Sequence, residues 1–150
     1  MTTVASIDDL SSLVGQHLGY SDWREISQEQ VNQFADATGD HQWIHVDPER
    51  AKSGPFGGPI AHGYLTLSLV PALMGQVFAV EGVTMGVNYG ANKVRFPSPV
   101  PVGSELRLGA TLAGVEDVSD GVQVTLDVTL EVKDATKPSC AAQVVYRFFR

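Results

Sequence analysis

The spacing of apolar residues changes period along this chain. In the first half they recur at helical intervals in short runs. Ser27 with Gln30 makes a capping-box start, and Val31, Phe34, Ala35 and Thr38 follow on one face until Gly39 ends the run, which predicts an amphipathic helix over about 28–38. Asp47 and Pro48 are the N-cap and first residue of a second short helix reaching about Lys52. The span Gly39 to Val46 between them reads as a taut loop. Ser53 to Gly63, SGPFGGPIAHG, is dense in glycine and proline and reads as another. From Tyr64, the residues Leu65, Leu67, Leu69, Val70, Ala72, Leu73, Met74, Val77 and Phe78 cover nearly every face, which predicts a long helix enclosed on most sides and bent at Pro71.

In the second half the period falls to two. Val122, Val124, Leu126, Val128, Leu130 and Val132 alternate with polar or small residues, the signature of a half-buried strand. Similar runs span about 104–115 and 139–149, and an earlier strand over about 84–96 carries Gly86 and Gly90, a sign of strong bending. Ser119-Asp120-Gly121 predicts a hairpin. Four strands in antiparallel succession after a helix apolar all round imply an α+β fold, a curved antiparallel sheet wrapped around a long central helix in one domain, 1–150.

Composition narrows the partners. Ten basic against 17 acidic residues, a net charge of −7, leave too little Lys/Arg for nucleic acid to be the main partner. The single cysteine, Cys140, excludes an intramolecular disulfide. The N-terminus lacks the charge layout of a secretory signal, and the most apolar stretch, Tyr64 to Val80, is too short and too polar to span a bilayer, so a cytoplasmic protein is expected.

Asp40 and His45 place a carboxylate and an imidazole in one loop, ATGDHQWIH, with bulky Trp43 and Ile44 between them. Packed beside a desolvated cleft, such a pair can hold a water and take its proton. A capping aspartate and a structural histidine would have the same spacing, which does not separate the two. Ala61-His62-Gly63 lies at the mouth of the apolar helix, where a glycine lets a carbonyl oxygen approach a free amide, the outline of an oxyanion hole, or simply begins a helix. His62 is expected to anchor this loop. A metal site from His41, His45, His62 and Asp40 is set aside, because Gly39 and the β-favouring WIHV argue against the helix that would align His41 with His45. His17 reads as a surface residue and Cys140 as core packing.

Together, ATGDHQWIHVDPERA and GGPIAHGYLTLSLVPAL resemble the hydratase motif of the MaoC-like dehydratases and R-specific enoyl-CoA hydratases, with the nodulation-protein N branch nearest. The resemblance implies a hot-dog fold, usually dimeric. It places Asp40 and His45 on the catalytic dyad and Gly63 on the amide that holds the thioester oxygen. It implies reversible addition of water to a trans-2-enoyl-CoA giving a (3R)-3-hydroxyacyl-CoA, with no metal and no cofactor beyond the coenzyme A of the substrate itself. Two departures stand out: Gln42-Trp43 where the family often has Asn-Pro between the dyad residues, and Pro71 where some members have a serine. Gln42, Trp43, Phe56, His62 and Tyr64 are expected around the substrate, and Lys93 and Arg95 near the phosphates of coenzyme A. A thioesterase on the same fold and a silent acyl-binding subunit are the alternatives. A homodimer is expected, because a curved sheet with long strands leaves an edge to be paired.

Overall fold

The computed structural model describes residues 1–150. The chain runs β1 (Thr2–Val4), a 3-10 helix (Ile7–Leu13), β2 (His17–Tyr20), β3 (Arg24–Glu25), α1 (Gln28–Thr38), α2 (Trp43–Val46), α3 (Pro48–Lys52), α4 (Gly63–Ser68), α5 (Val70–Met74), β4 (Phe78–Val80), β5 (Met85–Arg95), β6 (Glu105–Val118), β7 (Gly121–Val132) and β8 (Cys140–Phe149). Strands β2, β6, β7, β8 and β5 lie in that order in one antiparallel sheet, with β3 also on β6. A separate parallel pair joins β1 to β4.

The two-residue period is realised on β7, where Val122, Val124, Leu126, Val128 and Leu130 are buried and intervening side chains face outward. Leu106, Leu108 and Leu112 of β6 and Cys140, Ala142 and Val144 of β8 share that face. These residues meet Val31 of α1, Leu65 of α4 and Leu73 of α5 in one continuous apolar cluster. The β6–β7 hairpin turns at Ser119-Asp120, with Asp120 at φ 62°, a left-handed conformation that aspartate tolerates. Gly121 follows it because a Cβ there would collide with the Phe148 carbonyl.

The helix over 28–38 forms as the pattern predicts. Ser27 Oγ accepts from the Gln30 amide, and Gly39 closes the helix at φ 82° with its own amide on the Ala35 carbonyl. The helix at Pro48–Lys52 also forms, capped by Asp47 on the Arg50 amide.

Three expectations are corrected. The long helix is two short ones, α4 and α5, broken at Leu69. Pro71 has no N–H to continue the ladder, and the Leu69 amide turns back to Thr66 instead. The span Gly39–Val46 is not all loop, since WIHV forms the single turn α2. Its His45 and Asp47 amides bond to the Gln42 and Trp43 carbonyls, and Gln28 Nε2 of α1 donates to the His45 carbonyl at 2.8 Å. Tertiary bonds outweigh the intrinsic preference of β-branched residues. Strand β5 pairs with β8 and not with its sequence neighbour β6, so it is the far edge of the sheet. The short elements before Ser27 were not foreseen.

Candidate active site

Asp40 emerges from the Gly39 cap onto an exposed corner, where its Oδ1 accepts from the Gln42 amide at 3.3 Å. His45, on α2, is buried. Its Nδ1 lies 2.7 Å from the Ile60 carbonyl, and because a carbonyl only accepts, Nδ1 carries the proton. Nε2 of the neutral ring is therefore the free base. Burial pushes the His45 pKa below the usual histidine value, outweighing the opposing effects of the Ile60 bond and Asp40. The imidazole is thus in its proton-accepting form at neutral pH.

The second motif is fastened to the first. The Ile60 amide donates to the Ile44 carbonyl at 3.0 Å and the Ala61 amide to the Val100 carbonyl at 2.8 Å, which threads the chain between α2 and the loop before β6. His62 is buried, with Nε2 3.0 Å from the Asp40 main-chain carbonyl and its ring stacked on that of His45 at 3.9 Å. One ring nitrogen of each histidine and a carboxylate oxygen of Asp40 lie within 4.8 Å of one another. These three could in principle ligate a divalent cation. The imidazole planes are only 25° apart, however, so their in-plane lone pairs run side by side instead of converging as a tetrahedral metal requires. His41, weighed earlier as a fourth member, is turned away onto Asp36 at 3.0 Å, a hydrogen bond that raises its pKa.

Gly63 is the first residue of α4, so its amide has no carbonyl one turn back to bond. It lines a cavity of ≈ 310 Å³ with Phe56, Ala61, Thr66 and Phe96. Asp40 and His45 are not in its wall. The link is His62, whose ring faces the dyad and whose peptide leads into Gly63. The Phe96 ring would stand 3.1 Å from any Cβ at position 63, so glycine is the residue that fits under it. Tyr64 is exposed and meets Phe96 edge-on at 6.3 Å.

The other expected site residues divide. Gln42 is exposed beside Asp40. Trp43 lies against Gly54 with the Arg50 guanidinium 4.4 Å above its ring, which places it as a packing residue beside the dyad. Lys93 and Arg95 are on the sheet face away from the core, in a cleft of ≈ 790 Å³ with His17, Tyr20, Asp127 and Gln143. That cleft meets the Gly63 cavity at Pro97, which lines both. Cys140 is buried and its thiol is pushed up to about 11, an inert core residue. Sequence reasoning missed Gln28, the Ile60 carbonyl and Phe96. The first two act through hydrogen bonds that no local pattern announces, and Phe96 arrives at Gly63 from the segment just after β5.

Comparison with known proteins agrees with this geometry. Residues 9–134 match the family described as the MaoC-like domain. The chain is 56% identical over 149 residues, 99% of each chain, to 3-hydroxyacyl-thioester dehydratase Z of Mycobacterium tuberculosis. It is 46% identical over 140 residues to nodulation protein N of Rhizobium meliloti, covering 91% of this chain and 87% of that protein. The structure superposes on the (R)-hydratase of A. caviae involved in PHA biosynthesis with a TM-score of 0.73 and 25% identity, over 89% of this chain and 94% of the other. An α+β hot-dog fold carrying both motifs, matched over nearly its whole length, establishes that the chain belongs to the MaoC-like hydratase/dehydratase family and is a hydro-lyase.

Proposed function

We propose that the protein is a cytoplasmic R-specific enoyl-CoA hydratase, run in reverse as a 3-hydroxyacyl-thioester dehydratase. The observation that carries this is the held tautomer of His45. Its Nδ1–H is fixed on the Ile60 carbonyl, and its unprotonated Nε2 is free in the neighbourhood of the Asp40 carboxylate.

In the forward direction Asp40 and His45 hold one water between them and accept its proton. The oxygen bonds to the β-carbon, the double-bond electrons move onto the thioester oxygen, and the resulting enolate is relieved when the α-carbon takes up the proton. The Gly63 amide is the donor proposed for that oxygen. No metal or redox cofactor enters, and coenzyme A comes only as part of the substrate. The names of the dehydratase and (R)-hydratase relatives support the substrate class and the stereochemistry.

The pantetheine arm is proposed to run from the Gly63 cavity past Pro97 into the cleft where Lys93 and Arg95 offer cations to the phosphates. The acyl tail would take the opposite direction along α4 and α5. There, one apolar hollow of ≈ 460 Å³ beside Tyr64 and a smaller one of ≈ 200 Å³ beside Met74 share Pro71 and Tyr146.

A homodimer through β5 is part of the same proposal. This edge strand is exposed along nearly its whole length and presents Met85, Val87 and Tyr89, continuous with exposed Tyr64 and Phe96. An unpaired apolar edge of this length calls for a second strand. Sedimentation at micromolar concentration should give a dimer, and a monomer would refute the edge pairing.

Incubation with crotonyl-CoA tests the reaction itself. Loss of enoyl absorbance without free thiol and formation of the (3R)-alcohol are expected. Release of thiol would make the protein a thioesterase, and an unchanged spectrum across acyl lengths would make it a binding subunit.

A further inference from the structure

His62 occupies the N-cap position of α4, yet its side chain makes no capping bond. Residues favoured there turn a short side chain back onto the helix amides. The His62 imidazole turns the other way. Only 2% of the residue is exposed, and its ring reaches both members of the dyad and the helix that leads to it. Nε2–H donates to the Asp40 carbonyl at 3.0 Å, one ring face stacks on His45 at 3.9 Å, and Phe34 of α1 packs at 4.8 Å with its plane inclined by 53°.

The donation to a carbonyl leaves Nδ1 as a bare acceptor, and it is buried with no hydrogen-bond partner. A buried acceptor without a partner carries a desolvation cost that an apolar ring of similar shape would avoid. Stability alone does not account for a histidine here.

The bonds around Asp40 show what the imidazole does. The Asp40 amide reaches Thr38 Oγ1 at 3.4 Å and its carboxylate reaches the Gln42 amide at 3.3 Å, both long and both within its own loop. The bond from His62, 22 residues along the chain, ties this exposed corner to another element and is shorter than either. On its other side the stacked ring fixes the plane of His45, already pinned at Nδ1, so that only one direction remains for Nε2.

We infer that His62 is a positioning residue of the reaction, clamping the Asp40 main chain and the plane of the His45 ring so that carboxylate and base meet one water. This rests on the hydratase reading above and makes the loop anchor expected from sequence a support of the dyad, in place of the substrate contact also expected there.

Two substitutions separate its two contacts. His62→Phe keeps a ring to stack and loses the donor, whereas His62→Gln places an amide N–H at the reach of Nε2 and loses the ring. With crotonyl-CoA, His62→Phe is expected to lose on the order of 10- to 100-fold in kcat, the scale of an ångström-sized misplacement. KM should stay within about threefold, because the substrate contacts are untouched. His62→Gln should recover part of the loss. A kcat for His62→Phe within about twofold of the parent protein, or a loss confined to KM, would overturn the inference.

A measurement on the unmutated protein stands beside these in case a variant fails to fold. 15N-resolved imidazole spectra should show His62 protonated at Nε2, and a ring protonated at Nδ1 alone would overturn the clamp, since the bond to Asp40 could not then form. Asp40→Asn in the same assay keeps the two claims apart. If the parent protein does not hydrate crotonyl-CoA the hydratase reading fails while the spectra still judge the clamp; if the parent is active and Asp40→Asn is not, but His62→Phe is unimpaired, only the clamp fails.

Discussion

Strand β7 and the stretch from Gly39 to Gly63 obey different rules. On β7 each inward position from Val122 to Leu130 holds valine or leucine, the ladder to β6 runs its full length and that to β8 reaches from Gly121 to Leu130, and side chain, period and burial agree. Between Gly39 and Gly63 they disagree. β-Branched residues are wound into a helical turn, two histidines are buried, one of them lacks a partner at Nδ1, and a carboxylate is held on an exposed corner by long bonds. Departures from local consistency gather where a protein does chemistry. The sheet is built to stay folded; the loop is built to hold a base against a water.

That contrast breaks if substitutions in the two regions do the same thing. His45→Asn keeps an N–H for the Ile60 carbonyl and removes Nε2. It is expected to lower kcat by roughly 10²- to 10⁴-fold, the usual contribution of a general base, with the circular dichroism melt changed little. Leu130→Ala, at a fully buried β7 residue, should do the reverse. About 2–5 kcal/mol of stability is lost in chemical denaturation while kcat per folded molecule is retained.

Gly63→Ala sharpens the boundary between the regions. Its methyl would sit 3.1 Å from the Phe96 ring, so the ring must yield by a few tenths of an ångström and the approach to the amide narrows. A loss of roughly tenfold in kcat/KM is expected, less than the roughly 10²–10³-fold of deleting an oxyanion donor outright.

The smallest effect is in pH. Because burial holds the His45 pKa below its ordinary value, kcat/KM should persist into mildly acidic solution and fall only as pH drops through that lowered value. The same group affects stability. Between the lowered value and about 6.5 the unfolded chain binds the proton that the folded protein refuses, so this contribution is complete above about 6.5 and is lost as pH falls through the window. A pH–rate profile with its acid limb above neutrality would contradict the placement of His45.

The legibility of the chain follows the same division. Helix α1 and strands β5 to β8 could be read because their signals are local: a capping box, a left-handed glycine and an unbroken two-residue period. The order of strands could not, since β5 lies beside β8 through contacts 46 or more residues apart in sequence, as Asn92 on Gln143 illustrates. The unbroken helix was misread because apolar content outweighed Pro71, and α2 was missed because its stability comes from Gln28 and not from its own four residues. In the site, Asp40, His45 and Gly63 were visible as motifs. The pinning of His45 by Ile60 and the stacking of His62 were not, because each joins residues 15 or more apart.

The most direct test of the account is Asp40→Asn. Asp40 is exposed, so this substitution should leave folding and the binding of a non-reactive acyl-CoA analogue intact while hydration of crotonyl-CoA falls by roughly 10²- to 10⁴-fold. Hydration within about twofold of the parent rate, by a variant that binds the analogue normally, would show that the carboxylate at this position is not part of the chemistry.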